Sequence, residues 1–195
     1  AMTMDSSGNV GIGTSSPTQL LNLESATSPA ILITDTTNTT SLLLRSQNNT
    51  SSVGTSSNHP LVFETNATEA MRIDASGNLG IGVVPNVGWS STYKAIQVGN
   101  AGAVWSEDAS SSNTLISNNE VYNTNGSYYR LVAGAANDIL LQNNGSFQFR
   151  STATSAAANS IISDQTTKMT LDASGNLDVV GRVKTQSDLN VYGGN

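Results

Sequence analysis

The fold of this chain is decided by the stretch MRIDASGNLGIG, residues 71–82. Apolar residues alternate with polar ones on both sides of the Asp-Ala-Ser-Gly-Asn cluster at 74–78. Period-2 alternation around a cluster of turn-forming residues predicts a β-hairpin. Asp74 is expected to accept hydrogen bonds from the turn backbone, and Gly77 to supply the positive φ that follows a type I turn.

The same phrase occurs three times along the chain. It reads MDSSGNVGIG at 4–13 and MTLDASGNLDVV at 169–180, where Asp-Val-Val replaces Gly-Ile-Gly. A phrase that recurs with its glycine in register marks a repeated structural unit, which favours a scaffold over a single catalytic pocket. The structural turn residues predicted in the three copies are Asp5, Gly8, Asn9, Asp74, Gly77, Asn78, Asp172, Gly175 and Asn176.

A corner marked by proline follows the hairpin in the first two copies. Pro17 and Pro85 cannot donate a hydrogen bond to a ladder, so each is expected to end its strand. Alternating residues at 96–98 then predict a further strand. Gly80 and Gly82 leave one face of the preceding strand bare, which predicts the close approach of another backbone, here a second copy of the chain.

Composition indicates an all-β chain. Of its 195 residues, 37% are hydrophobic and 11% are charged, and no window has the apolar spacing of an amphipathic helix. Apolar residues occur in short bursts instead, as at 31–33, 42–44 and 139–141. A thin repeated β unit needs neighbours to bury its apolar side. We therefore predict an elongated, intertwined homotrimeric β fibre, β-prism or β-helix-like, with hairpin joints and a larger β insert; a monomeric β-sandwich is the alternative.

Three segments are predicted from the positions of the repeated phrase. Residues 1–98 form a shaft repeat with two hairpin joints. Residues 99–166 form a larger, aromatic-rich β insert that is the candidate receptor-binding segment, and 167–195 form a terminal shaft repeat. Because the chain starts inside one copy of the phrase, we expect it to be a segment of a longer protein.

Charge and composition exclude several classes of function. The formal net charge is −6 and the lysines and arginines are scattered singly, so the concentrated positive face of a nucleic-acid-binding protein is missing. No apolar run approaches the ~18 residues of a membrane-spanning helix, so no membrane insertion is expected. With no cysteine and a single histidine, His59, the sequence predicts no metal site and no cofactor.

Bacteriophage tail-fibre and related virion attachment proteins have shaft repeats that this chain resembles. The resemblance is carried by Met-x-(Ile/Leu)-Asp-x-Ser-Gly-Asn-(Leu/Val)-Gly-Ile-Gly, followed by Thr-Ser-Ser-Pro at 14–17, and it covers 4–23, 69–98 and 167–185. It implies a homotrimeric β fibre in the virion tail, extracellular when it functions. The implied partner is a host cell-surface glycan or another receptor.

Aromatic residues are concentrated between the second and third copies of the phrase. Aromatic faces stack on sugar rings and also anchor protein interfaces. One interpretation is a receptor or glycan-binding patch made of Trp89, Trp105, Tyr128 and Tyr129, with asparagine and aspartate side chains supplying hydrogen bonds. The other is that these rings form the core of the insert, the interpretation that we prefer for any single ring.

Glycoside hydrolysis needs at least a pair of carboxylates. The spacing of the acidic residues in this sequence does not indicate such a pair. Glu107 and Asp108 are adjacent and would point to opposite faces of a strand, while Glu120 or Asp138 could pair with either. We therefore predict a structural tail-fibre segment that contributes to host attachment and is not an enzyme. A polysaccharide depolymerase, or a shaft whose recognition element lies elsewhere, are the alternatives.

Overall fold

The computed structural model describes residues 1–107 and 113–181. Within them the chain is all-β, with several sheets, none of them closed, and no helix, which confirms the all-β part of the predicted fold class. The chain divides into two compact units, Ala1–Leu61 and Val62–Asn195. Residues 182–195 of the predicted terminal repeat lie outside the described residues.

The first unit contains two three-stranded sheets. In the sheet β1-β2-β3, β1 and β2 form the predicted antiparallel hairpin, and β3 returns parallel to β2. The sheet β4-β5-β6 is an antiparallel meander. The strands are β1 Met2–Met4, β2 Val10–Ile12, β3 Leu21–Leu23, β4 Ala30–Asp35, β5 Thr40–Gln47 and β6 Thr50–Thr55.

The second unit is built on a ten-stranded sheet. Its order is β18-β17-β16-β15-β12-β11-β10-β9-β8-β7, and β13 pairs separately with β14. β10 runs parallel to β9, whereas the neighbours from β10 to β18 are antiparallel. The strands are β7 Leu61–Thr65, β8 Thr68–Ile73, β9 Leu79–Ile81, β10 Tyr93–Val98, β11 Gly102–Glu107, β12 Thr114–Asn118, β13 Val121–Tyr122, β14 Tyr128–Tyr129, β15 Asn137–Leu141, β16 Phe147–Thr152, β17 Gln165–Leu171 and β18 Leu177–Val179.

The predicted segment boundaries fall inside this sheet. β10 pairs with β11 across the boundary between 98 and 99, and β16 pairs with β17 across the boundary between 166 and 167. The second and third copies of the phrase therefore share one sheet with the aromatic-rich insert. The compact units divide instead after Leu61.

The repeated phrase forms the same turn in all three copies. In the second copy, the Asp74 carboxylate accepts hydrogen bonds from the backbone N–H groups of Ser76 and Asn78, at 2.9 and 2.8 Å, and from the Asn78 side chain at 3.2 Å. The Gly77 N–H donates to the Asp74 carbonyl at 3.0 Å, and Gly77 has a φ of 84°. The same contacts recur at Asp5, Gly8 and Asn9 and at Asp172, Gly175 and Asn176.

Gly80 accommodates the chain's own corner. A Cβ atom at Gly80 would lie 2.2 Å from the Val83 carbonyl oxygen and 2.8 Å from the Pro85 ring, whereas one at Gly82 would meet open space. The backbone expected at the bare face therefore belongs to the same chain, which turns at Pro85 and returns as β10 alongside β9. The prediction that a second copy approaches Gly80 is wrong.

The two faces of the ten-stranded sheet differ in burial. On the inner face, alternate residues of the central strands are buried, among them Ala95, Trp105, Leu115 and Leu140. The residues between them point to the opposite face, where an apolar side chain from each of nine strands lies in register. This apolar row consists of Ile73, Leu79, Ile96, Val104, Ile116, Ile139, Phe149, Met169 and Val179. At its centre Ile116 is 50% exposed.

Candidate functional site

Aromatic rings pack between the inner face of the sheet and the β13-β14 pair. Trp105 lies among them, with its ring centroid 5.4 Å from that of Trp89, 5.1 Å from Tyr93 and 6.1 Å from Tyr128. Tilted and edge-on arrangements at these distances stabilise a core beyond the burial of area alone. The Trp105 indole N–H donates to the Ser117 hydroxyl at 2.9 Å, so its polar atom is satisfied.

The predicted glycan patch is reduced to one ring. Trp89 and Trp105 are only 5% and 2% exposed, so neither has a ring face free for a sugar. Tyr128 packs against Trp105, and the Arg150 guanidinium lies 5.4 Å from its ring centroid. These three rings belong to the core, which was the alternative interpretation. Tyr129, the next residue of β14, is half-buried and also packs against this core.

A buried ionic network lies beside these rings. Arg150 on β16 donates through both Nε and Nη2 to the Asp138 carboxylate on β15, with 2.8 Å between Nε and Oδ1. Gln165 Nε2 on β17 donates to Glu120 Oε2 at 2.7 Å and to Asp138 Oδ2 at 2.9 Å. Both carboxylate side chains are fully enclosed. Within the part of the chain that the structure describes, Glu120 Oε1 has no hydrogen-bond partner.

Enclosure beside Asp138 shifts the pKa of the Glu120 carboxyl group. Burial, together with the negative charge of Asp138, raises the pKa of Glu120 to about 8, against the opposing effect of Arg150. Glu120 is therefore protonated near pH 7. A neutral Glu120 removes one negative charge from the interior beside Asp138 and Arg150.

The acids considered for glycan cleavage do not form an accessible pair. Glu120 and Asp138 do converge, but both carboxylate side chains are enclosed and hydrogen-bonded to Gln165, so neither is exposed at the surface. Glu107 ends β11, and Asp108 lies outside the described residues. Sequence spacing did not select the Glu120–Asp138 pair because the chain passes through β13 and β14 between them.

A second buried guanidinium organises the segments after β14. Arg130 is 2% exposed and donates to the carbonyl oxygens of Gly134, Thr154 and Ile161, at 2.9, 3.2 and 3.2 Å. It also forms an ion pair with Asp164 at 3.1 Å. Sequence reasoning missed this role, since an isolated basic residue in a polar stretch carries no signal of burial.

An open cavity of about 410 Å³ lies beside Tyr129. Its other lining residues are Asn86, Val87, Gly88, Val121, Asn123 and Asn159. Three asparagines and one tyrosine therefore line a single open site, and none of its described lining residues is charged. Of the four residues in the predicted patch, Tyr129 alone lines this cavity.

Within residues 1–107 and 113–181, no helix has the length and apolar content needed to cross a membrane. Over the same ranges, no group of three or more histidine, aspartate or glutamate side chains is placed to hold a metal ion. No family model matches the chain, and no curated protein or solved structure matches it significantly. Function is therefore inferred from the geometry of the chain and from its repeated phrase.

Proposed function

We propose that the chain is a segment of a trimeric phage tail-fibre shaft that contributes to attachment to a host-surface glycan. The observation that carries this proposal is the apolar row. Nine strands each place an apolar side chain on one open face, and Ile96, Val104 and Ile116 in its middle are 43%, 42% and 50% exposed. Contiguous apolar surfaces of this extent mark protein–protein contacts.

The dimensions of the apolar face suit a subunit interface. At about 4.8 Å between neighbouring strands, nine strands span about 38 Å. Further apolar side chains lie on the same face, two residues along their strands from the apolar row. Ile81 pairs with Val98, and Phe147 pairs with Leu171. A strip two or three residues wide has an area of roughly 600 Å², close to the ~800 Å² that each partner buries in a standard interface.

The first unit has an exposed apolar face of its own. Ile31, Leu44 and Val53 lie in register across β4, β5 and β6 and are 38%, 38% and 59% exposed. A thin sheet with apolar side chains facing outward is what an interdigitated assembly needs from each chain. Both units therefore favour burial of these faces in a complex.

Copies of the same chain are the partner that the repeated phrase favours. Its resemblance to phage shaft repeats suggests three copies around an axis, with the apolar rows facing inward. Such an arrangement also reduces the number of free strand edges, which matters where few charged side chains repel unwanted pairing. Three weak receptor sites on one assembly bind a surface with avidity.

Sedimentation velocity tests the assembly. The mass of one chain is 20.2 kDa. For a trimer with a dissociation constant of about 1 μM, we expect an apparent mass three times that value at a chain concentration of about 10 μM. Ile116→Lys places a charge in the middle of the apolar row and should convert the trimer to monomers. Ser155→Lys, at an exposed position off the sheet, is the matched control and should remain trimeric. A monomeric wild-type chain, or a trimer that tolerates Ile116→Lys, would exclude this assembly.

Attachment is tested with the intact, fluorescently labelled assembly on an array of bacterial surface polysaccharides. Binding to at least one polysaccharide, weakened in monomeric Ile116→Lys by loss of avidity, is the expected result. If the assembly binds no polysaccharide on a broad array, the attachment part of the proposal is wrong and the chain is a shaft segment that does not bind the receptor.

A further inference from the structure

We infer that the cavity beside Tyr129 binds one neutral sugar residue, with the amides of Asn86, Asn123 and Asn159 donating hydrogen bonds to the sugar oxygens. This inference rests on the attachment part of the proposed function and assigns a site to it. The cavity of about 410 Å³ lies within the ~300–1,000 Å³ range of ligand pockets, and is open to the surface.

The backbone around the cavity holds two of the amides in position. The Asn86 Oδ1 atom accepts a hydrogen bond from the Gly88 N–H at 2.7 Å, and the Asn123 Oδ1 atom accepts one from the Asn125 N–H at 2.9 Å. Each amide thus has its oxygen occupied by a backbone N–H group. Among the described residues, neither Nδ2 atom has a hydrogen-bond partner, so both donors are available to a ligand.

The third amide belongs to a residue with a constrained backbone. Asn159 has a φ of 58°, a conformation that asparagine tolerates better than most residues, and its N–H donates to the Arg130 carbonyl at 2.8 Å. Because the Arg130 guanidinium is itself hydrogen-bonded to five other groups, Asn159 is fixed relative to β14. The donors are therefore positioned before a ligand arrives, which reduces the ordering cost of binding.

Tyr129 supplies the apolar surface of the site. Its strand is held by pairing with Val121 and by a bridge to Ile161. Tyr129 is partly buried against the core and also lines the cavity, and among the described residues it forms no ring–ring pair. The C–H face of a pyranose packs on such a ring, while its hydroxyl groups need donors and acceptors around the rim.

The charge of the site selects an uncharged ligand. Among the residues that the structure describes, no charged one lines the cavity, so an acidic sugar finds no cation in this lining, and the formal net charge of −6 repels anions further. A neutral hexose or N-acetylhexosamine fits amide donors and a phenol ring. A single site with three or four hydrogen bonds gives a dissociation constant in the millimolar range.

Saturation-transfer NMR on the full chain tests the site with the methyl glycosides of glucose, galactose, mannose and N-acetylglucosamine at about 5 mM, a concentration chosen for millimolar affinity. The double variant Asn86→Asp/Asn123→Asp keeps the oxygens that accept turn hydrogen bonds and removes the Nδ2 donors. It should reduce the transfer at least tenfold. Asn144→Asp is the matched control, since Asn144 Oδ1 accepts a similar hydrogen bond from Ser146 N–H at 3.0 Å away from the cavity, and its signal should be unchanged.

Asn159→Asp is a second variant, chosen because Asn159 is exposed and aspartate also tolerates its backbone conformation. It should lower the transfer several-fold without altering the melting temperature. No transfer from any glycoside to the wild-type chain, or transfer that survives both the double variant and Asn159→Asp, would overturn the inference. If the polysaccharide array is positive while these variants bind normally, the proposed function stands and the site is elsewhere.

Discussion

Glu120→Gln is expected to remove a pH dependence of stability that the buried network creates. The pKa of Glu120 is about 8 in the folded chain, against an ordinary value of 4.5. The folded state therefore binds this proton more tightly than the unfolded state. The resulting stability is fully present below about pH 4.5 and is lost as the pH rises through 8, because an ionised Glu120 would face Asp138 in the interior.

The size of the effect follows from the displacement of the pKa. Each pKa unit corresponds to about 1.4 kcal/mol, so a rise from 4.5 to about 8 sets an upper limit near 5 kcal/mol. Local rearrangement around an ionised Glu120 reduces this, and we expect a loss of about 2–4 kcal/mol between pH 5 and pH 9. At about 2–4 °C per kcal/mol, the melting temperature should fall by roughly 5–15 °C.

Thermal melts followed by circular dichroism from pH 5 to pH 9 measure this fall. Glutamine has the shape of the protonated acid and can donate to Asp138, so Glu120→Gln should melt at nearly the same temperature across the range. Glu64→Gln, at an exposed position on β7 of the same sheet, is the matched control and should retain the wild-type fall. An equal fall in wild type and Glu120→Gln would refute the assignment of the proton to this residue.

The remaining predictions concern the corner and the second buried arginine. Gly80→Ala should lower the free energy of unfolding by about 2–4 kcal/mol, since its methyl group overlaps the Val83 carbonyl, whereas Gly82→Asn should cost less than about 1 kcal/mol in open space. Urea denaturation compares them, and equal midpoints would contradict the close approach at Gly80. Arg130→Lys should lose about 2–3 kcal/mol and speed amide hydrogen exchange at 154–162, because lysine cannot reproduce the guanidinium's fixed donors. The exposed control Arg45→Lys should change neither the free energy of unfolding nor the exchange rate. Unchanged exchange in Arg130→Lys would show that residues 154–162 are stable without the guanidinium.

The hairpins could be predicted because their determinants are local. Asp74, Gly77 and Asn78 lie within five residues, and the turn is closed by hydrogen bonds among them. The alternation on either side specifies strands by the same short-range rule. The all-β class follows from these local patterns repeated along the chain.

Features that depend on pairing between distant strands could not be predicted. The sequence around Gly80 does not show that the turn at Pro85 fills the space beside this glycine. That contact requires β10 to return parallel to β9. The burial of Trp105 depends on β13 and β14 covering the inner face of the sheet. Glu120 and Arg150 likewise meet only through the ladders that join β12 to β16.

The protonated Glu120 also changes how the molecule behaves as an ion. The formal net charge of −6 counts every carboxyl group as ionised. Near neutral pH each folded copy keeps one of these protons, so it is one unit less negative than its composition indicates. Folding therefore withdraws a proton from the buffer, and the native chain migrates toward the anode more slowly than its count of acidic and basic residues implies.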